Sequence, residues 1–425
     1  MDPQAGDTQA VSKTRRLVDV FGLKKNIVVL LGMVILVGLG EKMAERFLPI
    51  YLVALGGGIM SIGLLNGMTN LLGALYAFPG GYASDRFGYK RALILFNLIA
   101  MFGYAIVIIF PYWWAVIVGA VFFLSWSALS LPATMDMVSK VLPQSKRTMG
   151  VSMHSLVRRI PMALGPVIGG ILIERFGDTD GIRLAFVGAL ILGIFSLVLQ
   201  QIVIKENASD KEKRKLKQAE SSPLRLFKEM GPSLRNLLVS DILIRFCEQI
   251  PYAFVVLWVV QSKEQGYLGF SPVQFGVLTT IEMIVAMLIY VPVAFFADRS
   301  TKKPFVVATF VFFSLFPLVL FFSRSFPALM LAFVIRGLKE FGEPTRKALI
   351  MDLAPENKKA GMFGLYYLIR DVIVSIAAFG GALLWSISPG TNFLAAFGFG
   401  VLGTIYFAIW GKNLGEAPTQ VTSKA

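Results

Sequence analysis

The sequence predicts an all-α membrane protein of twelve transmembrane helices in two pseudo-symmetric six-helix bundles. Three observations carry that prediction: an apolar composition, a dozen apolar segments of membrane-crossing length, and a repeat of landmarks at half the chain length. Of 425 residues, 56% are hydrophobic and 16% charged, and the mean hydropathy is +0.68. Soluble domains carry roughly 25% charged residues, so the solvent implied here is lipid.

A hydrocarbon core of about 30 Å is crossed by roughly 20 residues of helix. Segments that meet this requirement, named spans 1 to 6, lie at 26–54, 61–83, 92–110, 113–139, 149–173 and 184–204. Spans 7 to 12 lie at 236–260, 271–297, 304–322, 326–350, 360–385 and 391–411. Residues 1–204 then form one six-helix bundle and 236–425 the other. Between them, residues 205–235 read as a charged, mobile linker on the cytoplasmic side.

Basic residues set the orientation. The amino-terminal segment (Lys13, Arg15, Arg16, Lys24, Lys25), the 2–3 turn (Arg86, Lys90, Arg91), the 4–5 turn (Lys140, Lys146, Arg147) and the linker are rich in Lys and Arg. So are the 8–9 turn (Arg299, Lys302, Lys303) and the 10–11 turn (Arg346, Lys347, Lys358, Lys359). The opposite side offers Arg175, Arg183, Lys263 and Arg324. The positive-inside rule therefore places both termini in the cytoplasm, in a multi-pass protein of the cell membrane. The net charge of +15 reflects topology and lipid headgroups, and no nucleic-acid module is present in the sequence. One cysteine, Cys247, excludes an internal disulfide and a thiolate cluster. The start "MDPQAGDTQA" lacks a signal-peptide pattern, so span 1 is expected to be retained.

The two halves read as copies. An offset of 212 residues pairs Pro132 with Pro344, Pro143 with Pro355, Lys146 with Lys358, Arg158 with Arg370 and Gly169 with Gly381. Near the same spacing "ASDRFGYKR" answers "FADRSTKKP". A shared register across so many positions points to duplication. Parallel halves related by an axis along the membrane normal are a transporter architecture with a substrate site between them.

The segment "GGYASDRFGYKR" supplies Gly81, Asp85, Arg86, Gly88, Lys90 and Arg91 in the spacing G-x-x-x-D-R-x-G-x-[KR]-[KR]. In this the chain resembles the major facilitator superfamily, whose signature lies between helices 2 and 3. The echo after span 8 keeps Asp298, Arg299, Lys302 and Lys303, with Ala294 and Thr301 in place of its glycines. The resemblance implies that Asp85, Arg86 and Arg91 latch the inner gate, with Asp136 as a partner. A second similarity lies in "LGPVIGG", where Gly165, Pro166, Gly169 and Gly170 match the end of a motif of proton-coupled drug antiporters. Ser152 and Pro161 stand where that motif has further glycines, and close helix packing accounts for small residues equally well. Export by proton exchange is the direction this second similarity implies.

Charges inside spans should face protein or water. Span 1 carries Glu41, Lys42, Glu45 and Arg46, span 4 Asp136, span 5 Arg158 and Arg159, and span 7 Asp241, Arg245 and Glu248. Span 8 carries Glu282, span 10 Arg336, Lys339, Glu340 and Glu343, and span 11 Arg370 and Asp371. Spans 3, 6, 9 and 12 carry none; in the resembled fold these four are the outer helices. Glu41 and Glu45 share a face at i, i+4, and Asp241, Arg245 and Glu248 form another stripe. At about 1.5 Å per residue, Glu41 lies roughly at mid-membrane.

Proton coupling needs a buried carboxylate whose surroundings change during transport; Glu41, Glu45, Glu248 and Glu340 are the candidates by depth. Arg46, Arg158, Arg245, Arg336 and Arg370 are candidates for the substrate cavity, where a carboxylate or phosphate would dock. Either set would serve equally as structural ion pairs. His154 reads as a packed polar residue ahead of a proton relay, and Trp126, Tyr252, Trp258, Tyr366 and Tyr367 are available for stacking. With no H-E-x-x-H and no phosphate loop, an intramembrane enzyme is disfavoured. The expected protein is a monomeric secondary transporter that moves a small organic solute with protons and without a cofactor. Its uptake counterpart, carrying an organic anion or other metabolite, is the alternative.

Overall fold

The computed structural model describes residues 25–124, 157–203, 223–297, 301–355 and 358–412, and among these the regular elements are helices. Span 1 is divided into α1 (Lys25–Glu45) and α2 (Leu48–Ala54); span 2 is α3 (Ile59–Phe87), span 3 is α4 (Tyr89–Ile109), and span 4 begins as α5 (Trp113–Phe123). Spans 5 and 6 follow without a gap in α6 (Arg159–Val203), folded back at Gly177, whose φ of 81° only glycine adopts without strain. Span 7 is divided into α8 (Pro232–Tyr252) and α9 (Val255–Val260), preceded by α7 (Pro223–Glu229). Spans 8 and 9 are α10 (Pro272–Ala297) and α11 (Lys302–Phe322). Span 10 is divided into α12 (Phe326–Leu338) and α13 (Glu343–Leu353), and spans 11 and 12 are α14 (Lys359–Ile387) and α15 (Pro389–Trp410). The helices form the two bundles of the predicted fold class.

Three spans read as continuous are broken, each beside a proline. Pro49, Pro251 and Pro344 lack the N–H that would bond the carbonyl four residues earlier, and their rings crowd it. In span 1 the chain turns at Arg46 and Phe47, where the Phe47 amide bonds the Ala44 carbonyl at 2.9 Å. In span 7 the Phe254 amide bonds Pro251 at 2.8 Å. In span 10 the Thr309 hydroxyl accepts the Gly342 amide inside the break.

The linker expectation changes at its end. Residues 205–222 lie outside the described residues, but α7 packs on α14, burying Leu226 and Met230 and pairing Glu229 with Lys358 at 2.7 Å. Residues 223–235 are therefore ordered structure. Arg346, assigned to the basic 10–11 turn, is instead inside α13 and 1% exposed.

The bundles meet along two seams, α6 against α10 and α3 against α14. Small residues bring the backbones together: a Cβ on Gly276 would stand 2.7 Å from the Pro166 carbonyl, and Gly63 faces Ala382. At the end of the molecule away from the linker the bundles are in contact, Phe47 meeting Phe275 with ring centroids 5.8 Å apart. There the Val273 amide bonds Glu174 at 3.2 Å, and Phe254, Trp258, Tyr267, Trp385 and Phe393 form an interlocked aromatic cluster. The chargeless spans show the lipid-facing character expected of them: Phe102, Phe195, Ile202, Phe322, Leu402 and Ile409 are all more than half exposed.

Candidate functional site

Between the bundles lies a central cavity of about 420 Å³, lined by six basic side chains and three acidic ones. The basic ones are Arg46, Arg158, Arg159, Arg245, Lys339 and Lys347; the acidic ones are Glu248, Glu282 and Glu340. The spans that contribute them, 1, 5, 7, 8 and 10, are among those the sequence marked with charge. Asn66, Thr69, Asn70, Gln249 and Tyr252 complete the wall. A polar recess of about 290 Å³ continues along α3 and α14 past Gly73, Arg370, Asp371 and Val374.

Most of the charge is already neutralised within the protein. Arg245 reaches Glu248 at 2.6 Å and Glu343 at 3.5 Å, and Lys339 bridges Glu248 at 2.9 Å and Glu282 at 3.4 Å. Arg336, 3% exposed, lies 3.2 Å from Glu282 and over the Phe316 ring at 4.8 Å. Behind them Asp241 pairs with Arg346, stands 3.4 Å from Arg370 and accepts the Tyr366 hydroxyl at 3.1 Å. Arg370 also bonds Asp371 at 2.7 Å and lies over the Tyr367 ring at 4.2 Å. Such a network places each buried charge against an opposite one, the condition for its presence in a low-dielectric interior.

Glu41 and Glu45 share Lys42: its ammonium stands 3.2 Å from Glu41 and hydrogen-bonds Glu45. Glu340 takes its partner from the other bundle, Arg159 at 2.9 Å. The bundles are also joined by Asn66 donating to the Gln249 carbonyl at 2.9 Å and Asn70 to its side chain at 3.1 Å. Two cavity cations stand apart. Among the described residues neither Arg46 nor Arg158 has a carboxylate oxygen within ion-pair distance; Arg46 instead covers the Tyr252 ring at 5.1 Å.

The five basic candidates from sequence therefore divide. Arg245, Arg336 and Arg370 hold carboxylates of their own bundle, whereas Arg46 and Arg158 present charge to the cavity. Glu45, Glu248 and Glu340 line the cavity or its continuation, and Glu41 is buried behind them. Sequence reading singled out no Asn, Gln or Thr within the spans, so Asn66, Thr69, Asn70 and Gln249 went unnoticed. Their signal was available: Asn66 and Asn70 share a face at i, i+4, with Thr69 adjoining. Glu282, Lys339 and Glu343 were counted as charges and left out of the site.

At the 2–3 turn, Gly88 alone connects α3 to α4, with φ 89°. That conformation explains the signature's second glycine physically. Thr301, its counterpart, has φ −68° in an ordinary extended conformation, so no glycine is required there. Arg86 bonds the Tyr82 hydroxyl at 3.1 Å, and Arg91 is exposed. Gly81 lies within α3; the Asp85 side chain, Asp136, His154 and Trp126 lie outside what the structure describes. The glycines of "LGPVIGG" are consumed by packing: Gly165 lies against Lys42 and Met43, Gly169 against the Met43 carbonyl, and Gly170 against Pro272.

Comparison with known proteins places this architecture. Residues 30–263 and 237–424 match the Major Facilitator Superfamily. An uncharacterised MFS-type transporter of Methanocaldococcus jannaschii is 21% identical over 398 residues, covering 88% of this chain and 91% of its own. An uncharacterised MFS-type transporter of Bacillus subtilis, YqjV, is 24% identical over 269 residues, covering 61% and 62%. The fold is similar to the nucleoside transporter NupG, with TM-score 0.76 at 13% identity over 91% of this chain and 100% of that one. It is also similar to a POT peptide transporter, TM-score 0.70 at 16% identity over 90% and 93%. The human organic anion transporter MFSD10 has TM-score 0.63 at 16% identity over 90% and 98%. With both halves matched, from residue 30 to residue 424, this chain is a membrane transporter belonging to the Major Facilitator Superfamily.

Proposed function

We propose that the protein moves a small organic anion across the cell membrane by proton-coupled alternating access, with residues 1–204 and 236–425 rocking about the central cavity and both termini cytoplasmic. The carrying observation is the pair Arg46 and Arg158, cavity cations that among the described residues make no direct ion pair with a carboxylate. A solute carboxylate or phosphate would complete them by charge-assisted hydrogen bonds. With the bundles in contact at the far end and the polar recess extending one turn inward on α3 to Gly73, the conformation is read as inward-facing. In the outward state the far-end interbundle bond from the Val273 amide to Glu174 would separate and the turn around Gly81, Asp85, Arg86, Gly88 and Arg91 would close on span 4 near Asp136.

For the proton, Glu45 and Glu41 are the preferred carriers, because two carboxylates share one lysine at the break in span 1. Export is the direction that the antiporter similarity implies, although every glycine in it also has a packing partner. Thermal unfolding in detergent against organic acids, their amides and amines tests the substrate class. A ligand at 100 times its dissociation constant adds about 2.7 kcal/mol of stability. Stabilisation by acids alone is the expected result; stabilisation by amines or amides and not by acids overturns it. Vesicle flux under an imposed pH gradient then reads coupling and direction.

A further inference from the structure

The central cavity does not end at Arg46. Beyond that side chain and Tyr252 lies a second chamber of about 50 Å³, which shares Arg46, Asn66, Thr69 and Tyr252 with the first. Most of its remaining wall is apolar, including Leu48, Leu65, Leu124, Val255, Val256 and Phe275, with Glu45 and Arg336 at its charged edge. It sits where spans 1 and 7 are both broken, and the breaks make it. Turning the chain at Arg46 to Phe47 and at Ala253 to Phe254 displaces the short far segments from the axes of α1 and α8. The gap is lined by the first residues of those segments.

From this geometry, and resting on the reading of the cavity as an anion site, we infer that the transported anion is amphiphilic: its charged group docks at Arg46 and a compact apolar group of about four carbons enters the chamber behind it. The size follows from the volume. One water-sized group needs about 10–15 Å³ of such space, so the chamber accepts about four, the bulk of a branched butyl group. The amphiphilic character follows from the sharing of Arg46 and Tyr252. A molecule anchored at the guanidinium from the cavity side reaches the chamber without leaving the Tyr252 face, so a single solute spans both environments. Inserting the apolar end removes it from water, which the polar central cavity alone does not offer.

The wall residues then set specificity. Leu65 and Val256, both buried and from opposite bundles, limit the length of the apolar group. Because they belong to different bundles, the chamber exists only while the bundles are closed at the far end. The apolar group is thus gripped in the inward-facing arrangement and released as the far end opens.

The test uses the purified full chain and a series of carboxylates that differ only in the apolar end: acetate, propanoate, butanoate, 3-methylbutanoate and octanoate, with 3-methylbutanamide as the neutral control. Apparent affinities come from ligand-induced thermal stabilisation. Each buried methylene should tighten binding about fourfold, levelling off once the chamber is full. Equal affinity across the acids, with the amide silent, overturns the apolar subsite while leaving the anion reading intact. An amide that matches its acid overturns the anion reading itself. Val256→Phe fills the chamber and should reduce 3-methylbutanoate binding at least tenfold with acetate unaffected. Leu65→Ala enlarges it and should move the preference toward octanoate, which keeps the inference testable should the phenylalanine variant misfold. Unchanged chain-length preference in a folded Leu65→Ala protein also overturns it.

Discussion

Replacing Asp241 with asparagine tests whether the deepest charge cluster is architecture or machinery. Asp241 is 1% exposed, pairs with Arg346, stands 3.4 Å from Arg370 and 3.8 Å from Arg245, and accepts the Tyr366 hydroxyl. Asparagine preserves shape and removes the charge. Each arginine keeps at least one other carboxylate: Glu343 for Arg346, Asp371 for Arg370, and Glu248 and Glu343 for Arg245. Breaking a buried pair from one side costs about 3–5 kcal/mol, and the surviving partners put this case at the lower end, about 3 kcal/mol. That is roughly a 150-fold change in the ratio of folded to unfolded protein. The assay is equilibrium unfolding in mixed micelles, followed by tryptophan fluorescence. Glu229→Gln is the reference, because its partner Lys358 is 36% exposed and such pairs contribute about 1 kcal/mol or less. Asp241→Asn combined with Arg346→Met should recover much of the loss by restoring neutrality. An Asp241→Asn protein of undiminished stability that no longer transports would refute the structural assignment.

Glu45→Gln and Glu41→Gln are expected to keep anion binding, and the proton carrier among them should lose the pH dependence of vesicle flux; unchanged pH dependence in both stable variants removes them from coupling. Asp85→Asn and Arg91→Ala should impair flux at equal expression by freeing the inner gate, and wild-type flux in both removes the latch. Gly88→Ala forces a side chain into φ 89° and should cost about 1–3 kcal/mol in the same unfolding assay, whereas Thr301→Ala at φ −68° should cost far less. Gly169→Ala places a methyl group on the Met43 carbonyl and should separate span 5 from span 1, lowering stability and flux together.

The amino-acid order by itself determined the solvent, the number of spans and the duplication, because lipid demands long apolar helices and tolerates few exceptions. It also identified which spans face the interior, since a charge such as Glu282 or Arg336 cannot face hydrocarbon. Gly88 was legible as a turn residue. Only the tertiary structure decided how the charges divide, for a stripe such as Asp241, Arg245 and Glu248 does not reveal which cation sits across from it on another span. That Arg370 serves Asp241 while Arg46 covers the Tyr252 ring is a matter of distances between helices far apart in sequence. Pro49, Pro251 and Pro344 stand beside the breaks in spans that read as continuous, because a transmembrane proline is compatible with a kink or with a full interruption, and neighbouring helices select between them. The chamber behind Arg46 exists because two such interruptions lie side by side, and adjacency across 207 residues is a property of the fold alone.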